Sequence, residues 1–304
     1  MASNPIPVKN YLRLKTLFIV NPHSGRARRA LAAVRAFAAT HDACVSLTAR
    51  PRHATELAAR ALDEGVALIV AVGGDGTLNE IAAVLTGTPA TLGLISCGSG
   101  NGLGRHLGIH GTVARALTLL LSGQPRLIDT GLADGHPFFT VAGLGFEAEI
   151  AARFNRLPRR GFFRYLTTSA AAFHRYKPQS CRIEYDGKRT DFLPFTLAVG
   201  NSDQYGNGAY ITPGASVDDG LLDLTAIPPV GLLNALPLLA RLFGGALTRS
   251  SAVLNLRASR FVIERPAPGL LHTDGELHSA PARVEFAIRP ASLRLIAPVA
   301  LKVR

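Results

Sequence analysis

In the first third of the chain, short runs that are apolar throughout alternate with longer stretches in which apolar residues recur every three or four positions. Residues 14–20, 44–48, 67–72 and 91–95 read as strands, while 26–39, 53–64, 77–85 and 113–122 read as helices. Strands that are apolar at both parities fit a parallel sheet covered on both faces, and regular alternation with helices predicts an α/β unit. From Pro125 the texture changes. Short strand-like runs at 126–130, 138–141, 181–185, 195–199, 221–227, 260–263 and 283–288 are separated by turn residues, which predicts an antiparallel β-sandwich. Helices are expected within it at 146–154, 162–174 and 231–243, the last being the most apolar long segment.

Composition narrows the partners. The 304 residues contain 47% hydrophobic residues, ample for two packed units, and 33 Lys and Arg against 21 Asp and Glu give a formal charge of +12. Such a charge favours anionic partners. Only 7% of residues are aromatic, and no basic block is interleaved with stacking rings, so a nucleic-acid surface is not expected. Cys44, Cys97 and Cys181 are odd in number and far apart, which supports neither a disulfide framework nor a zinc site. No signal-peptide pattern opens the chain, and no apolar run reaches the roughly 18 residues of a spanning helix. A cytoplasmic protein with peripheral membrane contact is expected, and the sequence leaves a homodimer open.

The candidate chemistry starts where the third strand runs into Gly73-Gly-Asp-Gly-Thr-Leu-Asn-Glu80. Glycines there let an anion approach the main chain, and a helix opening at Thr77 would offer its N–H groups to phosphate. Asp75 would repel a bare phosphate, so a cation is expected beside it. A second loop, Ser96-Cys-Gly-Ser-Gly-Asn-Gly102, follows the fourth strand, and Asn21-Pro-His-Ser-Gly25 follows the first. Three strand ends can thus converge on one polyphosphate. Neither loop is a P-loop, because no Gly-Lys-Ser/Thr follows a four-residue spacer, and the acidic residue of the dinucleotide fingerprint is missing.

These motifs, with Ile128-Asp129-x-Gly131, Gly143-x-Gly-Phe146, Gly200-Asn201, Asp218-Asp-Gly-Leu-Leu-Asp223 and Asp274-Gly-Glu276, resemble in order the diacylglycerol kinase catalytic-domain family. That family includes bacterial lipid kinases and the sphingosine and ceramide kinases. The resemblance implies a nucleotide-binding α/β domain of the NAD-kinase type at 1–124, completed by 281–304, and a lipid-acceptor β-sandwich domain at 125–280. It implies ATP and Mg2+ as cofactors and transfer of the γ-phosphoryl group to a hydroxyl of diacylglycerol, a sphingoid base or a phosphatidylglycerol-like lipid at a membrane surface. Glu276 is the implied general base, with Asp75 as the second catalytic residue. Asn21, Thr48, Gly73, Gly74, Asp75, Gly76, Thr77, Asn79, Glu80, Gly98, Ser99 and Asn101 are the implied nucleotide contacts. The Asp218 segment resembles a magnesium site in which Asp219 meets the ion and the carbonyls of Ser216 and Leu221 assist. Asp129 is a further candidate for metal, water or a cation.

One departure bears on specificity. Many bacterial members carry Gly-Thr-x-Asn-Asp in the second loop, whereas Gly98-Ser-Gly-Asn-Gly102 lacks the acid and is closer to the sphingosine-kinase version. Two rival functions share the first loop: an NAD kinase, and a catalytically silent nucleotide-binding membrane sensor.

Overall fold

The computed structural model describes residues 15–155 and 176–298, and the chain divides into two compact units, 1–127 with 293–304, and 128–292. In the first unit, β1 (Thr16–Val20), β2 (Cys44–Leu47), β3 (Leu68–Gly73) and β4 (Thr91–Ser96) form a parallel sheet in the order β2-β1-β3-β4. Every residue of β3 and β4 is buried, as their uninterrupted apolar sequences require of central parallel strands. Helices α1 (Ala27–Thr40), α2 (His53–Asp63) and α3 (Asp75–Leu85) connect them, followed by α4 (Gly102–His106) and α5 (Val113–Ser122). The buried face of α1 is Ala27, Ala30, Val34 and Ala38, small residues that let the helix lie close on Phe18, Val20 and Val70. Crossovers of this kind carry every strand's carboxyl end to one edge of the sheet, where the glycine loops lie.

The second unit is a β-sandwich. One sheet has the order β12-β11-β10-β7-β14-β15, antiparallel throughout, from β7 (Val141–Gly145), β10 (Thr196–Gly200), β11 (Leu222–Ile227), β12 (Leu254–Ala258), β14 (Gly269–Thr273) and β15 (Glu276–Ala280). Opposite it lie β8 (Cys181–Tyr185), β9 (Lys188–Phe192) and β13 (Arg260–Glu264) beside β16 (Arg283–Ala297), with β5 (Gln124–Ala133) and β6 (His136–Phe138) on the other flank of β16. Leu144, Leu197, Leu224 and Leu271 of the first sheet meet Phe138, Ile183, Phe261 and Phe286 of the second in one core. Helix α6 (Phe146–Asn155) follows β7. The remaining face of the first sheet carries Val141 and Ala198, against which α7 (Leu232–Phe243) sets Leu238 and Leu242. The last residues of β16, Arg294 and Leu295, pair in parallel with Thr91 and Leu92 of the first unit's sheet.

The expected α/β and β-sandwich classes are both present. The run 138–141, expected as one strand, is split between β6 and β7, because the N–H groups of Phe139, Thr140 and Val141 are drawn to the carboxylate of Asp274. The helix α3 begins at Asp75 rather than Thr77, with Gly74 as its extended N-cap. The helix expected at 162–174 lies outside the described residues. Among the described residues no helix is long and apolar enough to cross a membrane.

Cys44 is exposed, whereas Cys97 and Cys181 are buried, and burial pushes both thiols up, Cys181 to about 11. Native protein is therefore expected to take up one maleimide per chain, at Cys44, and three after denaturation, as counted by intact mass. Rapid native labelling of Cys97 or Cys181 would contradict this packing.

Candidate active site

In the first unit the two glycine loops touch through their backbones. A Cβ on Gly98 would fall 2.7 Å from Gly74 Cα, and one on Gly74 would fall 2.9 Å from the hydroxyl of Ser24, so neither position has room for a side chain. Gly25, with φ +50°, lies against the carbonyl of Cys97, which accepts the N–H of Arg26 at 2.9 Å. The three strand-end loops named from the sequence are thus brought together. Asn21 donates to the Thr77 hydroxyl at 3.1 Å, and Gly73 leaves space for that threonine, whose Oγ1 would sit 2.6 Å from a Cβ. Thr48, buried after β2, donates its N–H to Val20, and Ser99 is exposed at the tip of the second loop.

Asp75 joins the loops. Its two oxygens accept the N–H groups of Asn101 and Gly102, each at 2.8 Å, and Asn101 at φ +53° returns its amide to the carbonyl of Gly98. Burial pushes the Asp75 carboxyl up, while those two amides and the nearby Arg105 pull it down. Arg105 also holds the loop directly, from Nε to the carbonyl of Gly100 at 2.9 Å. Expected beside a cation, Asp75 is engaged by protein amides. Glu80, expected beside the nucleotide, turns to α2 and accepts the N–H groups of Arg52 and Ala54 at 3.3 and 3.1 Å, supplying the first turn of that helix with the acceptor its sequence lacks. The surface left for phosphate is the backbone of 73–77 and 98–101 at the start of α3, whose first-turn N–H groups have no intrahelical partner.

In the second unit, the buried Asp129 and the half-buried Asp274 hold the other motifs. Asp129 accepts the N–H groups of Gly220 and Ala291, both at 2.7 Å, and so fixes the loop that carries Asp218 and Asp219. Asn201 donates to the carbonyls of Asp129 and Phe139 at 2.9 and 3.2 Å. Asp274 takes three backbone N–H groups and the Thr140 hydroxyl; burial pushes its carboxyl up and those bonds oppose the shift. Asp274 and Gly275, at φ +50° and +84°, make the two-residue turn from β14 to β15, and Glu276 follows at once, exposed.

The implied magnesium ligands are all oxygens, which suits a hard cation that keeps several waters. Asp219 accepts the Leu221 N–H at 3.0 Å and a guanidinium nitrogen of Arg257, which leaves lone pairs on a partly exposed carboxylate. Ser216 donates its hydroxyl to Asp218 at 2.6 Å, within the same loop. Asp223 lies 3.0 Å from Arg257, and burial pushes it to about 6, against the pull of Arg257. The donor set fits a weakly held Mg2+; no group of three or more His, Cys, Asp and Glu gathers as a metal cage among the described residues.

Sequence reasoning missed a buried group around β7. Glu147, in the first turn of α6, lies over the bare backbone of Gly143, receives the Tyr205 hydroxyl, and stands 3.6 Å from His272 Nε2. Burial pushes the Glu147 carboxyl up and His272 draws it down. The signal was Gly143-x-Gly-Phe146 itself: a Cβ on Gly143 would run into Glu147 Oε1.

An α/β unit with three converging glycine-bearing loops is followed in the chain by a β-sandwich that carries an exposed carboxylate on a braced hairpin. Comparison with known proteins gives the class. Residues 15–133 match the diacylglycerol kinase catalytic domain, and residues 140–297 match the YegS C-terminal NAD kinase beta sandwich-like domain. A diacylglycerol kinase of Mycobacterium tuberculosis is 31% identical over 297 residues, covering 93% of this chain and 95% of that protein. A Pseudomonas putida protein named "Probable lipid kinase YegS-like" is 34% identical over 261 residues, covering 84% and 85%. The crystal structure of a diacylglycerol kinase from Bacillus anthracis shares the fold, with a TM-score of 0.74 at 21% identity over 94% of this chain and 98% of that one. The chain belongs to the diacylglycerol kinase catalytic-domain family, in company with the YegS-like lipid kinases, and is a lipid kinase enzyme.

Proposed function

We propose that the protein transfers the γ-phosphoryl group of ATP to the hydroxyl of a membrane lipid, with diacylglycerol the first candidate. The observation that carries the nucleotide half is the contact of Gly74 with Gly98 at the start of α3, tied by Asp75, which leaves main chain where phosphates can lie. Backbone donors suit a triphosphate better than side chains would, since glycines admit close approach and the helix start favours negative charge. Mg2+, when bound, supplies charge neutralisation; Asp219 and the carbonyls of Ser216 and Leu221 are the residues that would hold it. Phosphoryl transfer has little covalent chemistry for the protein to perform, so positioning and one proton acceptor carry most of the work. Glu276 is that acceptor, taking the proton of the lipid hydroxyl as the phosphoryl group arrives. The acceptor lies in a bilayer, and a formal charge of +12 favours peripheral attachment to anionic membrane.

The match of the sandwich to an NAD kinase-like domain keeps NAD as the second acceptor to be tested. Incubation with γ-labelled ATP, Mg2+ and fractionated membrane lipids is expected to label one phospholipid, identified by mass spectrometry. Labelled NADP with no labelled lipid would decide for the NAD kinase. Nucleotide binding without transfer to any lipid or to NAD would decide for a silent sensor.

A further inference from the structure

Two titratable side chains are buried together in the second unit beside a half-buried tyrosine, Tyr205, and none of the three has a part in the proposed transfer. Glu147 is 7% exposed and His272 4%, and Tyr205 donates its hydroxyl to Glu147 Oε2. Glu147 Oε1 is left without a hydrogen bond, the imidazole Nε2 standing off at 3.6 Å. On the other side of the ring, the N–H of Gly275 donates to His272 Nδ1 at 3.3 Å. Gly275 is the second residue of the turn that delivers Glu276. A line of polar contacts therefore runs from Tyr205 through Glu147 and His272 to the amide next to the proposed base.

The tautomer follows from the geometry. A neutral imidazole has one donor and one acceptor nitrogen; Nδ1 is the acceptor here, so the proton sits on Nε2 and faces Glu147. At 3.6 Å from Nε2 the Glu147 carboxyl makes no hydrogen bond to the ring, and it favours that tautomer by electrostatic attraction to the Nε2–H across a buried gap. Packing alone does not ask for this arrangement. On the same sheet Val141 and Ala198 are covered by Ile211, Leu247 and Leu238, which shows that apolar side chains close the surface without polar groups. Burying a carboxyl and an imidazole there costs solvation that apolar residues would not.

We propose that Glu147 and His272 are a positioning pair for Glu276: Glu147 holds the imidazole in the tautomer whose Nδ1 keeps the Gly275 N–H, and this fixes the turn from which Glu276 acts. Asp274 braces the turn from one side through Phe139, Thr140 and Val141, and His272 braces it from within β14. The inference rests on the reading of Glu276 as the base.

The two ring nitrogens can be tested separately. His272→Asn places an amide oxygen near the position of Nδ1, whereas His272→Gln reaches towards Glu147 and abandons Gly275; His272→Leu fills the space with neither. Turnover is measured on the lipid found by the labelling experiment, and amide exchange of the 269–280 peptide is measured without ligand. His272→Gln and His272→Leu are expected to lower kcat about 10- to 100-fold, with KM for ATP and lipid changed less than about threefold, as a small misplacement of a reacting group does. Both should speed exchange at Gly275, while His272→Asn keeps slow exchange and most of kcat. Glu147→Gln, which retains an oxygen for Nε2–H, should rescue what Glu147→Leu loses, and this pair serves if the His272 variants do not fold. Full kcat in His272→Leu, or equal behaviour of the Asn and Gln variants, overturns the proposal. If Glu276→Gln keeps its turnover while exchange responds as described, the base assignment fails and the bracing of the turn stands.

Discussion

Glu276→Gln is expected to lower kcat by about three orders of magnitude while ATP binding and the thermal midpoint stay at their wild-type values. General-base groups contribute roughly 10²–10⁴-fold, and the amide is nearly isosteric but has no basic lone pair to accept a proton. Stability should move little, because Glu276 is exposed at the first position of β15 and Asp274 braces the turn before it through three backbone N–H groups. Of the two carboxylates on this hairpin, Glu276 is the exposed one. The half-buried Asp274 beside it is engaged by four hydrogen bonds from the protein itself. Steady-state kinetics with labelled ATP, beside an ATP titration and a melting curve, check turnover, binding and stability in turn. Turnover within a few-fold of wild type would remove Glu276 from the role of base.

The first unit was readable because its signals are local. Continuous apolar runs of five or six residues bounded by glycine specify central parallel strands, and each glycine loop follows its strand directly in sequence. Strands β9, β12, β14 and β15 were not among those expected: an edge position exposes one side to water, so Lys188-Arg-Thr-Asp-Phe192 alternates too weakly to stand out, while the interior β14 is only five residues long and carries a buried histidine in place of an apolar residue. Motif residues were legible as motifs, but their partners were not. That Glu80 serves α2, that Asp129 holds the turn at Gly220, and that Gly143 makes room for Glu147 are long-range facts. Such contacts join positions far apart in the chain, and no periodicity records them. The difference is clearest at the aspartates. Asp75, Asp129 and Asp274 all stand in glycine-bearing motifs that suggest metal or substrate chemistry, and each commits its oxygens to backbone amides.

At Asp75 that distinction can be measured. Asp75→Ala is expected to weaken ATP binding by at least about 100-fold and to lower stability by about 3 kcal/mol, because the amides of Asn101 and Gly102 lose a charged acceptor in a half-buried place. Bonds to a charged partner contribute roughly 1.5–3 kcal/mol each, and two are lost together. With that strut gone, Gly98 is no longer held against Gly74, and the phosphate surface opens. Asp75→Asn should fall between, since its single carbonyl oxygen can serve one of the two amides while its NH2 group faces the other as a second donor. Calorimetric melting and ATP titration, each with and without Mg2+, separate a strut from a cation partner. A strut predicts that both variants lose stability in the absence of any ligand and that added Mg2+ makes no difference to the ranking. A residue that acted mainly through a cation would leave the melting point of Asp75→Asn untouched and abolish only the Mg2+ dependence of ATP binding, and that result would return Asp75 to the role its place among the glycines first suggested.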